Sequence, residues 1–170
     1  MAAMPDRPAQ LAVIGAAACA DRHRQLAFDT GRRIAEAGAV LLCGGRGGVM
    51  EAAAEGAKSA GGTTVGILPG ASRGESPPNP QIDIAVFTGL GQARNQVLVL
   101  SADAVIGVAG GWGTLTEIGF SLKHGIPVVL LESWELSPPS GEHEPLLTTA
   151  DTPSEAVRKA LAARQERYRS

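Results

Sequence analysis

Short apolar segments alternate with helical segments along almost the whole chain, and this alternation limits the possible folds more than any other feature. We predict strands at residues 11–15, 40–43, 64–68, 82–87, 104–108 and 127–131. Most of these segments are apolar at consecutive positions, as strands buried on both faces are. The sequence therefore predicts an α/β fold with a single doubly wound, mainly parallel Rossmann-like sheet and helices on both faces.

The segments between the strands define the rest of the domain. We predict helices at residues 21–37, 49–60, 92–101, 115–123 and 153–167, and irregular loops at 69–80 and 137–149. The 69–80 loop is either a lid over the ligand edge of the sheet or a simple crossover. We expect a flexible N-terminal segment at residues 1–10 and one Rossmann-like nucleotide-binding domain at residues 11–170.

Composition excludes several classes of protein. The net charge of −2 gives no basic surface for nucleic acid. The apolar runs are too short to cross a membrane, and the first ten residues lack the apolar core of a signal peptide, so we expect a cytoplasmic protein. Cys19 and Cys43 are the only cysteines, and we predict two thiols rather than a disulfide. No Cys/His cluster with metal-ligand spacing occurs, so we predict no metal site.

The most informative motif follows the predicted strand at 104–108 and leads into a helix. It comprises Gly110, Gly111, Trp112, Gly113 and Thr114, with Glu117 three positions later. The unpaired N–H groups at a helix start, together with the helix dipole, bind anions. Glycines let a phosphate approach the backbone, and the hydroxyl of Thr114 adds a further contact. A carboxylate beside a bound phosphate does little for binding, so Glu117 indicates chemistry or a second polar contact.

A second glycine-rich segment follows the predicted strand at 40–43. It comprises Gly44, Gly45, Arg46, Gly47 and Gly48. Both segments come at the carboxyl ends of parallel strands, which is where doubly wound sheets bind their ligands. Arg46 either holds a phosphate or a dimer contact, or is a solvated turn residue. Trp112 either stacks on a purine or pterin ring or packs against a neighbouring helix or subunit.

Several familiar nucleotide motifs are absent. The chain reads Gly15-Ala16-Ala17-Ala18 after the first strand instead of GxGxxG, and no GxxxxGK[ST] occurs. These absences argue against an ordinary NAD enzyme and exclude a P-loop ATPase. The string around Ser72 matches GxSxG, but the prolines that flank it prevent the strand–turn–helix arrangement of a nucleophile elbow.

The two glycine-rich segments, together with Glu117, resemble the LONELY GUY-type family over about residues 11–131. Its members are Rossmann-like nucleoside 5′-monophosphate phosphoribohydrolases, long mislabelled as lysine decarboxylases. The resemblance implies a phosphate at the glycine-rich helix start, with an arginine and a glutamate that cleave the base–ribose bond. The glutamate matches Glu117 at the end of the GGxGTxxE pattern, and the arginine of an MHxRK motif matches Arg94. The alternative for this pair is an ordinary salt bridge between two helix starts.

This chain departs from the family pattern at two places. Thr116 stands where the enzymes have a second acid, and the Arg-Lys pair becomes Arg94-Asn95. In these respects the chain is similar to a sister branch that includes carriers of the molybdenum cofactor, a pterin that bears a phosphate. Two functions follow. One is phosphoribohydrolase activity on a purine-type nucleoside 5′-monophosphate, with no cofactor required. The other is non-catalytic binding and transport of the molybdenum cofactor.

The resemblance also implies partners. We expect a small phosphorylated molecule as the ligand, with neither nucleic acid nor membrane as a partner. Family members of this kind pair through helices, so we expect a homodimer or a higher homo-oligomer.

Overall fold

The computed structural model describes residues 6–169, which form one seven-stranded sheet with five α-helices. The strands are β1 (Gln10–Ile14), β2 (Val40–Cys43), β3 (Thr64–Leu68), β4 (Ile84–Phe87), β5 (Ala104–Val108), β6 (Val128–Leu131) and β7 (Leu147–Ala150). The helices are α1 (Asp21–Glu36), α2 (Val49–Ser59), α3 (Arg94–Leu100), α4 (Trp112–Lys123) and α5 (Pro153–Arg169). A short 3₁₀ turn at Gly91–Ala93 leads into α3.

The sheet confirms the predicted doubly wound α/β fold. Its strand order is β4-β3-β2-β1-β5-β6-β7, and every neighbouring pair is parallel. The order reverses at β1, which pairs with β2 on one side and with β5 on the other. In such a sheet the loops after the two central strands run in opposite directions and leave a crevice between them. The ligand edge is therefore expected above β1 and β5.

Two apolar layers cover the sheet. One layer contains side chains of α1, α2 and α5, including Ile34, Val49 and Val157. The other contains side chains of α3 and α4, including Leu98 and Ile118. The central strand β5 is buried at all five positions because both of its faces are covered. This double burial explains why its sequence is apolar without alternation.

Two elements differ from the sequence-based prediction by more than two residues. Residues 147–150, predicted as part of a loop, form the edge strand β7 beside β6. This strand has only four residues and two exposed threonines, so its sequence lacks an apolar run. Helix α4 begins at Trp112 rather than at Leu115, because Gly113 continues the helix instead of ending the loop.

Asp103 connects distant parts of the chain at the edge opposite to the crevice. Its buried carboxylate accepts hydrogen bonds from Arg7 at 2.7 and 2.9 Å, from the Tyr168 hydroxyl at 2.8 Å and from Arg164 at 3.2 Å. It also accepts one from the backbone N–H of Gln10 at 2.8 Å. The segment before β1, the start of β5 and helix α5 therefore meet at one carboxylate.

The predicted flexible segment at residues 1–10 lies partly outside the described residues, which begin at Asp6. Cys19 and Cys43 are both free thiols, as predicted. Among residues 6–169, no helix combines the length and the apolar composition that a membrane crossing requires. Within the same residues, no group of three or more His, Cys, Asp or Glu side chains is placed to hold a metal ion.

Candidate functional site

The start of helix α4 carries N–H groups that are free to bind an anion. Gly111 is the residue before the first turn, and its carbonyl accepts the N–H of Leu115 at 3.1 Å. No side chain caps this end of the helix. The N–H groups of the first three helical residues have no acceptor within the described chain. Such groups, with the positive end of the helix dipole, bind phosphates.

The turn between β5 and α4 is held in an unusual backbone conformation. Ala109 has a φ of 49° and Gly110 a φ of 113°. A non-glycine residue in the left-handed region costs roughly 1 kcal/mol and persists where its surroundings hold it. Here the Ser133 hydroxyl donates a hydrogen bond to the Ala109 carbonyl, and Trp134 Nε1 donates one to the Gly111 carbonyl at 3.3 Å. Residues that follow β6 thus fix the shape of the predicted anion site.

We predicted no role for Ser133, and its position directly after β6 is the signal that could have indicated one. The two tryptophans of the chain also meet at this turn. The rings of Trp112 and Trp134 lie 5.3 Å apart between centroids, tilted by 44°. Trp112 is 77% exposed, so one face of the pair is open to solvent. An exposed aromatic ring beside an anion site is placed where it could stack on a heterocycle.

Arg94 lies at the start of α3, and its side chain extends to the carboxyl ends of β2 and β3. Its Nη1 donates hydrogen bonds to the carbonyls of Gly44 and Ile67, each at 2.6 Å. These carbonyls belong to residues at the carboxyl ends of β2 and β3. A Cβ on Gly44 would lie 2.2 Å from Nη1, so only glycine leaves room for the guanidinium. Burial lowers the pKa of Arg94, and the negative charge of Glu117 opposes that change.

Glu117 lies in the second turn of α4 with its side chain directed inward, and it is only 8% exposed. Burial raises the pKa of its carboxyl from 4.5 to about 7, while the charge of Arg94 acts in the opposite direction. Among the described residues, neither a hydrogen bond nor an ion pair reaches this carboxyl. The ordinary salt bridge between Arg94 and Glu117 is therefore not formed. A buried carboxyl with a pKa of about 7 has a property that is common among groups that transfer protons near neutral pH.

Arg94 and Glu117 meet in one cleft of about 250 Å³ at the crevice between β1 and β5. The cleft is lined by Gly15, Ala16, Ala17, Met50, Arg94, Asn95, Gly111, Gly113, Thr114 and Glu117. Five of these residues are among the predicted site residues. The loop after β1, Met50 and Asn95 were not predicted. The position of that loop at the switch point of the sheet could have indicated it, although it lacks GxGxxG.

The second glycine-rich segment lies outside the lining of the cleft. Gly48 precedes α2 with a φ of 63°, and a Cβ there would lie 2.3 Å from the Ala16 carbonyl oxygen. The first N–H of α2, on Val49, already donates to that same carbonyl at 3.0 Å. The segment therefore packs against the loop after β1 and leaves space for Arg94. Phosphate binding by Gly44, Gly45, Gly47 and Gly48 stays a prediction.

Arg46 is exposed and contacts the 69–80 loop. Its Nη1 donates to Ser76 Oγ at 3.0 Å, and its carbonyl accepts from Asn79 Nδ2 at 2.8 Å. The backbone N–H of Asn79 also donates to the Gly45 carbonyl at 2.9 Å. Ser72 of the GxSxG string lies exposed in this loop, without the strand–helix arrangement of a nucleophile elbow. The loop is thus bound to the second glycine-rich segment. A phosphate-binding role for Arg46 stays a prediction.

Comparison with known proteins identifies the family. Residues 8–163 match the model of the SLOG cluster4 family. The chain belongs to this family. A protein of Archaeoglobus fulgidus is 43% identical over 91% of this chain and 95% of its own length. The cytokinin riboside 5′-monophosphate phosphoribohydrolase of Mycobacterium marinum is 32% identical over 79% of this chain and 77% of its own length.

Solved structures of family relatives share the same fold. The molybdenum cofactor binding protein of Rippkaea orientalis superimposes with a TM-score of 0.84 at 35% identity, over 93% of this chain and 98% of that one. The molybdenum cofactor carrier protein of Chlamydomonas reinhardtii superimposes with a TM-score of 0.82 at 34% identity, over 94% and 99%. The predicted resemblance to LONELY GUY-type proteins, in the branch that includes these carriers, is confirmed.

Proposed function

We propose that the cleft binds a phosphorylated heterocyclic ligand, with its phosphate at the start of α4. The free N–H groups of residues 112–114 support this proposal, because they are aligned with the helix dipole and lack acceptors within the described chain. The guanidinium of Arg94 adds positive charge at the same cleft. The carboxyl of Glu117 lies in the same cleft, is buried, and makes neither a hydrogen bond nor an ion pair with the described residues. This observation extends the proposal from binding to chemistry.

Hydrolysis of a purine-type nucleoside 5′-monophosphate is the first function that this arrangement supports. The bond between ribose C1′ and the base nitrogen breaks, and the oxygen of a water molecule bonds to C1′. The base leaves with a proton, and ribose 5-phosphate is the second product. The transition state carries positive charge on the ribose, as in glycoside hydrolysis. In its ionised form, Glu117 stabilises that charge, takes a proton from the attacking water and passes it to the leaving base.

Arg94 positions the reaction rather than transferring protons. Its contacts with the Gly44 and Ile67 carbonyls fix one side of the guanidinium. The remaining guanidinium nitrogens have no hydrogen-bond partner among the described residues, and Arg94 lines the cleft, where a phosphate oxygen could accept their hydrogen bonds. A rigidly held guanidinium loses little side-chain entropy when the ligand binds. No cofactor is required for this reaction.

Binding and transport of the molybdenum cofactor is the second candidate, and two observations favour it. Thr116 occupies the place of the second acid of the enzymes, and it is exposed with its hydroxyl bonded to the Gly113 carbonyl at 2.6 Å. The relative from Rippkaea orientalis binds this cofactor, and the relative from Chlamydomonas reinhardtii carries it. The match to this chain covers 98% and 99% of those two proteins. In this case the phosphate at α4 and a pterin beside Trp112 would be bound as cargo.

Incubation with nucleotides separates the two candidates. Purified protein is incubated with AMP and with cytokinin-type riboside 5′-monophosphates, and released base and ribose 5-phosphate are measured by chromatography. The enzyme is supported if the wild type releases both products and Glu117→Ala does not. Glu135→Gln, at an exposed glutamate outside the cleft, serves as the matched control and keeps wild-type activity. If the wild type and Glu117→Ala are both inactive, the hydrolase is refuted.

The carrier candidate has its own measurement. Protein purified from cells that make the molybdenum cofactor is denatured, and the released ligand is identified by mass spectrometry. A phosphorylated pterin that is lost in Arg94→Ala supports the carrier, whereas a nucleotide supports the enzyme. Protein from which neither ligand is released refutes the carrier.

Self-association and location stay predictions. We propose a homodimer or higher homo-oligomer, and exposed apolar side chains support it. Ile84 and Val86 on β4 are 51% and 39% exposed, and Leu100 at the end of α3 is 50% exposed. These side chains would be covered in an assembly. Light scattering after gel filtration measures the mass, and a monomer at micromolar concentration refutes the proposal. The cytoplasmic location also awaits a test.

A further inference from the structure

Asn95, which lines the cleft, has a fully buried side-chain oxygen without a hydrogen-bond partner among the described residues. It follows Arg94 in the first turn of α3 and lines the cleft with Thr114 and Glu117. Its Oδ1 is buried and accepts no hydrogen bond from any described residue. Only one other buried side-chain atom in residues 6–169, Arg32 Nε on α1, is in the same state.

A buried carbonyl oxygen without a donor is an exception in native proteins, because its lost hydrogen bonds to water are not replaced. Neighbouring groups of the cleft do not supply the donor. Arg94 uses Nη1 for the carbonyls of Gly44 and Ile67, and the free N–H groups of α4 lie at the phosphate position. The Thr114 side chain makes no hydrogen bond to the amide. The missing donor is therefore expected from a molecule that enters the cleft.

The volume of the cleft indicates which part of a ligand carries the hydrogen-bond donor for Asn95. Sites that enclose a drug-sized ligand have volumes of about 300–1,000 Å³, whereas this cleft has about 250 Å³. It therefore accommodates a phosphate and the ring nearest to it, with the rest of the molecule outside. A second depression of about 520 Å³ adjoins at Asn95 and is lined by Thr116, Phe120 and Lys123 among others. Asn95 thus lies between the phosphate end and the open end of the ligand space.

We propose that Asn95 Oδ1 accepts a hydrogen bond from a ring hydroxyl of a sugar phosphate, and that Asn95 thereby selects ribosyl ligands over deoxy analogues. This inference rests on the proposed phosphate site at α4. The phosphate fixes one end of the ligand at the helix, and the sugar ring then brings a hydroxyl to the amide oxygen. A site with a buried acceptor rejects ligands that lack the matching donor, because the acceptor stays unpaired when they bind.

Calorimetric titration with a ligand series tests this role. The ligands are inorganic phosphate, ribose 5-phosphate and its 2-deoxy and 3-deoxy analogues. We expect the wild type to bind one deoxy analogue about fivefold more weakly than ribose 5-phosphate, as the loss of one neutral hydrogen bond predicts. Asn95→Leu should bind ribose 5-phosphate about fivefold more weakly than the wild type does. Its affinities for that deoxy analogue and for phosphate should equal those of the wild type.

Two controls separate this role from a structural one. Gln96→Leu, at the next position of α3 and outside the cleft lining, should leave all four affinities unchanged. Asn95→Leu removes an unpaired buried acceptor, so its melting temperature should not fall. A structural asparagine would give a lower melting temperature and an equal loss for every ligand, phosphate included. Either that result or equal affinities of the wild type for all three sugar phosphates overturns the assignment of Asn95. If the wild type binds neither phosphate nor ribose 5-phosphate, the proposed function fails as well.

Discussion

Replacement of Glu117 by glutamine should make the protein more stable at alkaline pH. Burial raises the pKa of this carboxyl from 4.5 to about 7. The folded protein therefore keeps a proton that the unfolded chain releases between these two values. Because the native state binds more protons in that range, the free energy of unfolding falls as pH rises. Glu117 therefore lowers the stability of its own protein as pH rises from 4.5 to about 7, and the full loss persists above that range.

The magnitude follows from the pKa. One pKa unit corresponds to about 1.4 kcal/mol, so ionised Glu117 costs about 3 kcal/mol at pH 8.5 relative to pH 4. Glutamine has nearly the same shape and carries no charge at any pH. We expect Glu117→Gln to exceed the wild type by about 3 kcal/mol at pH 8.5 and to match it near pH 4. In a domain of this size that difference raises the melting temperature by roughly 10 °C.

Urea denaturation between pH 4 and 8.5, followed by circular dichroism, measures this difference directly. Glu135→Gln, on an exposed side chain, is the matched control and should follow the wild type within about 0.5 kcal/mol at every pH. If Glu117→Gln is no more stable than the wild type at pH 8.5, Glu117 is not desolvated as the structure has it. A gain of equal size at all pH values would also refute the reasoning, because an effect on ionisation must vanish in acid.

Three further substitutions test the framework of the site. Gly44→Ala places a Cβ 2.2 Å from Arg94 Nη1, so we expect phosphate affinity, measured by calorimetry, to fall about tenfold. Trp134→Phe keeps an aromatic ring but removes the donor to the Gly111 carbonyl. The free energy of unfolding, measured by urea denaturation, should fall by about 1 kcal/mol, and phosphate should bind more weakly. Asp103→Asn leaves the buried Arg164 and the more exposed Arg7 without a counter-charge, and the free energy of unfolding at pH 7 should fall by about 3–5 kcal/mol, chiefly through Arg164.

Each of these has a control and a contrary result. Gly119→Ala lies on α4 with open space around the added Cβ, so phosphate affinity should not change, and an equal loss in both glycine variants would contradict the role of Gly44. Trp134→Leu, which also removes the aromatic ring, should lower the free energy of unfolding more than Trp134→Phe does. Tyr168→Phe removes one hydrogen bond of the Asp103 network and should cost about 1 kcal/mol. If Asp103→Asn costs no more than that, the carboxylate does not connect the three segments.

Much of the fold was predictable because the central strands are buried on both faces. Apolar runs such as Ala104–Val108 indicate a strand without help from their neighbours. The edge strand at Leu147–Ala150 has one buried residue, so nothing in its local sequence distinguishes it from a loop. The start of α4 was misplaced for a related reason. Gly113 has a low helix propensity, and only the tertiary structure shows that it lies within the first turn.

Sequence patterns predicted Arg94 and Glu117 as site residues, and the structure adds the contacts that give them their properties. Arg94 is held by carbonyls that come from two separate strands, and these converge only once the parallel sheet has formed. The raised pKa of Glu117 follows from burial, which a motif does not express. Ser133 and Trp134 reach the anion site because β6 pairs with β5. Such residues become evident from strand order rather than from spacing along the chain.

The contacts of Asp103 have a consequence for how the chain can be reconnected. Arg7 Nη2 and the Tyr168 hydroxyl, 161 positions apart, lie 3.4 Å from each other beside this carboxylate. A short peptide could therefore join the two ends of the described chain, and new ends could be opened in the exposed turn at residues 140–142. The proposed anion site lies at the opposite edge of the sheet and would keep its covalent surroundings. A circular permutant of this kind would fold around the same carboxylate with the order of its segments exchanged.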